Sequence, residues 1–147
     1  MADVLGARFV CVDLDTVITG DLAPLWDRPE DFVIWGETNP KSFYNGSMFL
    51  MTAGARRQVW ETFDPKISPH RAKAAGKFGS DQGFISYCLG PGEATWGRKD
   101  GVYSYRVHLQ PTGGKLPTDA RVVHWHGVID PWHPHAQKLS WVREHYR

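Results

Sequence analysis

The sequence predicts an α/β fold. Short apolar runs of strand character recur along the chain, and helical stretches with their own start and stop signals lie between them. Two of the apolar runs also end in residues suited to chemistry rather than packing. At 147 residues the chain has the size of one domain, large enough to bury a core, and no repeat, low-complexity tract or domain boundary interrupts it.

Taken in order, residues 8–12 form an apolar strand that runs into Asp13-Leu-Asp15. Asp21 is placed to cap a short helical turn around Leu22–Trp26. Phe32–Trp35 reads as a strand and Ser47–Thr52 as another, followed by a helix over Ala55–Phe63 that Pro65 ends. Residues 66–79 read as a loop or a weak basic helix. Ser80 is the N-cap of a helix through Leu89, and Gly90-Pro91 stops it. Short strands are expected near Ala94–Trp96 and Tyr103–His108, then a strand at Arg121–Trp125 and an amphipathic helix over His135–Tyr146.

Strand side chains alternate faces, so a continued strand would point Asp13 and Asp15 the same way, with Leu14 opposite. Two carboxylates about 5 Å apart repel by roughly 3 kcal/mol at an effective dielectric near 20. A cation between them, or a shared proton, removes that cost. Oxygen ligands of this kind suit Mg²⁺ or Mn²⁺. The plainer alternative is a strand followed by an Asp-rich turn.

His124 closes the apolar run at 121–125 much as Asp13 closes the first, and ligands of open α/β sheets sit beyond strand ends. A hydrogen-bonded core histidine is the competing reading. The spacings of His124 and His126, and of His133 and His135, match no closed zinc site, and His126, His133 and His135 are taken as loop residues.

Composition narrows the function. Seventeen basic residues balance 16 acidic ones without a long basic run, which argues against a nucleic-acid-binding face. Met1-Ala-Asp-Val lacks the features of a secretion signal, and no apolar run has the length of a membrane span. Cys11 and Cys88 fit no metal or redox spacing, so two buried free thiols in a reducing cytoplasm are expected. Seven Trp and seven His suggest a site that stacks and coordinates.

Four blocks in order resemble one family: Asp13-Leu-Asp-Thr-Val-Ile-Thr-Gly-Asp21, Tyr44-Asn-Gly-Ser-Met-Phe-Leu-Met51, Ser80-Asp-Gln82, and His124-Trp-His-Gly followed by Pro131-Trp132. They are similar to the nucleotide-sugar glycosyltransferases of GT-A type, in the glycogenin-like and bacterial galactosyltransferase group known as family 8. The resemblance implies the C-terminal portion of a GT-A domain, Rossmann-like with a mixed sheet. It implies transfer of a sugar from a nucleotide diphosphate, usually UDP, to an acceptor that the sequence does not specify, with retention of configuration. It implies Mn²⁺ or Mg²⁺ on Asp13, Asp15 and His124. It also implies Asn45 and Gly46 beside the donor, Asp81 and Gln82 at the reaction centre, and Gly127 and Trp132 in the substrate site.

The chemistry agrees with that set. A departing diphosphate needs its charge neutralised, which a divalent cation does as a Lewis acid. A carboxylate and an amide at a helix start can face an electron-poor sugar. Taken singly, Asp81 is a carboxylate complementing the helix dipole and Asn45-Gly46 a turn before a strand.

Two departures stand out. Where the family has lysine on the phosphate this chain has Asp130, so either an arginine or lysine from elsewhere compensates, with Arg98, Lys99 and Lys115 as candidates, or the site is weakened. Only 12 residues precede Asp13, whereas one βαβ unit takes about 30. The base and ribose pocket is therefore expected to be missing, supplied by another chain or rebuilt from the loops, and the chain to self-associate or be completed by a preceding segment. Two other classes stay open: a non-catalytic sugar- or nucleotide-binding module, and a haloacid-dehalogenase-like phosphatase. The latter would want Gly ahead of Thr16 and an acidic pair later in the chain.

Overall fold

Apolar runs between residues 8 and 96 build a four-stranded sheet, ordered β1-β4-β3-β5. Its strands are β1 (Arg8–Val12), β3 (Phe32–Gly36), β4 (Tyr44–Thr52) and β5 (Ala94–Trp96). A second, three-stranded sheet runs β2-β7-β6, from Thr16–Ile18, Val122–His124 and Val102–Ser104. The computed structural model describes residues 6–36, 39 and 41–146. Two compact units result, one of residues 29–96 with the start of the chain, the other of residues 12–28 and 97–147.

In the first unit β3 pairs antiparallel with β4 and parallel with β5, which makes the sheet mixed. The ladder is regular from Phe32↔Met51 to Ile34↔Phe49, but the next rung is Trp35↔Asn45. Residues 46–48 therefore leave the ladder, and the Asn45 side chain accepts a bond from the Ser47 amide at 2.9 Å. The expected strand at 47–52 thus begins earlier, at Tyr44, and Asn45-Gly46 lies within it, Asn45 on the last rung before the bulge and Gly46 in the bulge, rather than in a turn ahead of it.

α4 (Asp81–Leu89) forms as its caps dictate: the Ser80 hydroxyl accepts from the Gly83 amide, and Gly90 at φ 65° ends the helix. It packs on the sheet, with Ile85 and Leu89 against a core of Phe32, Ile34 and Tyr44. The Ser86 hydroxyl joins it to the loop before β4, accepting from the Phe43 amide at 3.0 Å. α2 is only Arg57–Glu61, shorter than the expected 55–63. Gly54 at φ 93° and Arg56 at φ 54° are left-handed and delay its start. Arg56 is held there by a bidentate pair with Glu93, both bonds 2.7 Å, and by Asp31 at 3.1 Å. The basic stretch forms a helix, α3 (Ser68–Ala74).

In the second unit β2 and β7 are antiparallel and β7 and β6 parallel. After β6 the chain enters a π-helical turn, Tyr105–Leu109, where a longer strand was expected. The core is aromatic: Tyr105 stacks on Trp125 at 3.7 Å, and Trp141 lies against Trp125 at 6.1 Å. The indole of Trp141 donates to the Gly114 carbonyl at 2.9 Å. α1 (Ala23–Trp26) follows Asp21, whose carboxylate accepts from the Ala23 amide. The C-terminal helix, α5, is Ser140–His145 and not 135–146, because Leu139 is extended at ψ 124° and separates it from a 3₁₀ turn at Ala136–Lys138.

Most of the tryptophans prove to be packing residues. Trp35, Trp96, Trp125 and Trp141 are buried, while Trp60 and Trp132 stand out to solvent. The cysteines are free as expected, but Cys11 is exposed and Cys88 half-buried.

Candidate functional site

β1 ends at Val12, so Asp13, Leu14 and Asp15 form the turn into β2 rather than a continuing strand. Leu14 is 90 % exposed at the tip. The turn is pinned from the far side, because the Trp125 amide donates to the Asp15 carbonyl at 2.9 Å. Thr16 is the first rung of the ladder and faces His124. The acidic turn and His124 therefore lie on adjoining rungs of one antiparallel pair, separated by a long excursion in sequence.

Asp15 has a raised pKa: partial burial contributes most, and the negative charges of Asp13 and Asp130 add to it. Three carboxylates thus share one field. Asp130 belongs to this acidic neighbourhood and also lies 3.6 Å from the His133 ring. His124 is fully buried, and burial, followed by the nearby His126, pushes its pKa down to about 3, so the ring is neutral. Its Nδ1 lies 2.9 Å from the Thr16 hydroxyl, which orients the imidazole.

Asp13, Asp15 and His124 are of the donor types that hold hard divalent cations. The repulsion on Asp15 is what such an ion would relieve, and a neutral imidazole is the metal-binding form. The geometry is looser than expected, since among the described residues no three His, Cys, Asp or Glu side chains converge at metal-binding range. The structure brings together the field of Asp13, Asp15 and Asp130, and it ties His124 to Thr16.

Gly127 has φ 104°, which only glycine adopts without strain, and a Cβ there would come within 3.2 Å of the Arg106 guanidinium. Arg106 therefore lies against the loop that carries Gly127. It extends, exposed, from the π-helical turn, and the sequence reading passed it over in favour of Arg98, Lys99 and Lys115. Arg98 instead acts on Tyr103, which donates to Asp119 at 2.9 Å. Only the π-turn, invisible in the sequence, brings Arg106 to Gly127. Trp132 is about half exposed, with His133 and Tyr146 beside it at 6.0 and 6.3 Å.

The remaining predicted residues lie in the first unit. Asp81 and Gln82 open α4, and the Asp81 carboxylate faces the bulge, 3.6 Å from where a Cβ on Gly46 would stand. Asn45 is buried behind it. The bulge and the helix start thus bring Gly46 and Asp81 together.

The fold is shared with solved glycosyltransferases. It matches the galactosyltransferase LgtC, solved with donor and acceptor sugar analogs, at TM-score 0.62 and 15 % identity, over 92 % of this chain and 58 % of LgtC. A structure of an active-site glutamine-to-glutamate mutant of LgtC matches at TM-score 0.57 and 16 % identity, over 92 % of this chain and 59 % of that one. The glycosyltransferase GlyE of Streptococcus pneumoniae TIGR4 matches at TM-score 0.57 and 14 % identity, over 93 % of this chain and 42 % of GlyE. The chain therefore spans a little more than half the length of LgtC and less than half that of GlyE. No family model matches the sequence, and no curated protein matches it.

Proposed function

We propose that this chain carries the reaction chemistry of a family 8-like glycosyltransferase, moving a sugar from a nucleoside diphosphate, UDP foremost, to an acceptor hydroxyl. The observation that supports it most is the acidic turn at Asp13–Asp15, on the rung next to His124, in a fold shared with LgtC and GlyE. Asp13, Asp15 and His124 would hold Mn²⁺ or Mg²⁺, with Thr16 fixing the His124 ring. The bound cation would supply Lewis-acid neutralisation of the diphosphate. Arg106, against Gly127, would add the positive charge that Asp130 does not. Trp132, half-exposed, offers a flat apolar face in the same loop.

Asp81 and Gln82 would face the sugar, where the carboxylate stabilises positive charge growing at the anomeric carbon and the amide orients a hydroxyl. The presence of a glutamine in the active site of LgtC favours Gln82 for that part. In the transfer, the bond from the anomeric carbon to the phosphate oxygen breaks and a bond to the acceptor oxygen forms, on the same face. The hydroxyl proton leaves to the departing phosphate or to water.

The test is release of UDP from UDP-sugars by the purified chain with Mn²⁺, beside Asp81→Asn and the double variant Asp13→Asn, Asp15→Asn. Metal-dependent release that falls at least about a hundredfold in each supports the reading. A chain that binds UDP-sugars without turning them over is a binding module instead.

A further inference from the structure

The first unit contains a cavity of about 600 Å³ whose walls are almost wholly apolar. The strand register explains the floor: Phe32 pairs with Met51 and Ile34 with Phe49, and opposed residues project from the same sheet face. Phe84 and Ile85 of α4 form one wall. The other wall is α2, cut short by the left-handed backbone at Gly54 and Arg56, and its Trp60 is 81 % exposed.

The charges in the lining are mostly committed elsewhere. Arg56 is paired with Glu93 and Asp31, and Arg57 pairs with Glu61 at 3.4 Å. Asp81 is the one charged lining residue with no ion pair among the described residues. The volume falls in the range of small-molecule sites. A bare sugar does not suit it, because its hydroxyls would lose water and meet few polar partners.

We propose that this cavity takes an alkyl or aryl group, the apolar part of an amphiphile whose hydroxyl end lies toward Asp81. Given the transferase reading, that amphiphile is the acceptor, and the short α2 leaves the cavity open for it. A glycoside or alcohol with a hydrophobic tail is the substrate class this selects.

The experiment is calorimetry on the whole chain, without nucleotide or metal, comparing n-octyl β-D-glucoside below its micellar concentration with methyl β-D-glucoside. Each methylene buried strengthens binding about fourfold, so a preference for the octyl compound of at least about a hundredfold is expected. Ala55→Trp, which fills the cavity, should abolish that preference. Because this variant could misfold, the wild-type chain is also followed by methyl NMR, where the Ile34 and Ile85 signals should shift with octyl glucoside. Equal affinity for the two glucosides, or unshifted Ile34 and Ile85, overturns the proposal. Octyl-selective binding with no turnover of any UDP-sugar would bear out the ligand class while removing the transferase reading.

Discussion

Gly83→Ala tests how the start of α4 is held. In an ordinary helix interior this change stabilises by about 1 kcal/mol, since alanine is the better helix former. Here a Cβ on Gly83 would lie 2.0 Å from the Phe78 carbonyl oxygen and 2.7 Å from its carbon. Ordinary contact begins near 3.4 Å, so helix and loop must part by more than 1 Å. Both are backbone, and neither yields by a rotamer change. Overpacking of this kind costs about 1–3 kcal/mol or more, which exceeds the propensity gain. The expected result is a net loss of about 1–2 kcal/mol, read as a lower urea midpoint at unchanged m-value. Asp81 and Gln82 occupy the same helical turn, so any transferase activity should fall as well. A variant as stable as the wild type would refute the close approach of residue 78 to α4.

Three further outcomes are expected. Asp130→Lys should tighten UDP binding in the presence of Mn²⁺, because one of the charges that raise the Asp15 pKa becomes an attraction; unchanged or weaker binding by calorimetry would place residue 130 away from the phosphates. His124 is neutral in the fold with a pKa of about 3, against about 6.5 when unfolded, so between those values the unfolded chain binds the extra proton. In chelator, stability should therefore fall by up to about 1.4 kcal/mol per unit as pH drops through that window, and His124→Asn should flatten the slope; an equal slope in the variant contradicts the burial of a neutral ring. Arg106→Ala should weaken UDP binding about tenfold or more without lowering the melting temperature, and an unaffected affinity would remove Arg106 from the phosphate site.

The elements with local signals were legible in the sequence. Ser80 and Gly90 framed α4 because caps act within a few residues, and the apolar runs at 8–12 and 94–96 became strands. What escaped depends on distant partners. Arg56 adopts a left-handed backbone beside Glu93, 37 residues away, and this shortens α2. The bulge at 46–48 and the π-turn at Tyr105–Leu109 have no composition of their own, and they set where Gly46 and Arg106 lie. Two apolar runs ending in polar residues drew attention to the acidic turn and to His124, but the residue the ladder sets opposite His124 is Thr16. That Asp130 joins the acidic field was not foreseeable, because it reaches Asp15 only through the fold.

We infer a divalent-cation site at the acidic turn. It is tested most directly by titrating the chain with Mn²⁺ and following the free-ion signal by electron paramagnetic resonance, with and without UDP. Saturable binding is expected, tightened by UDP and lost in the double variant Asp13→Asn, Asp15→Asn. Binding that survives in the double variant, or no binding with UDP present, would contradict it.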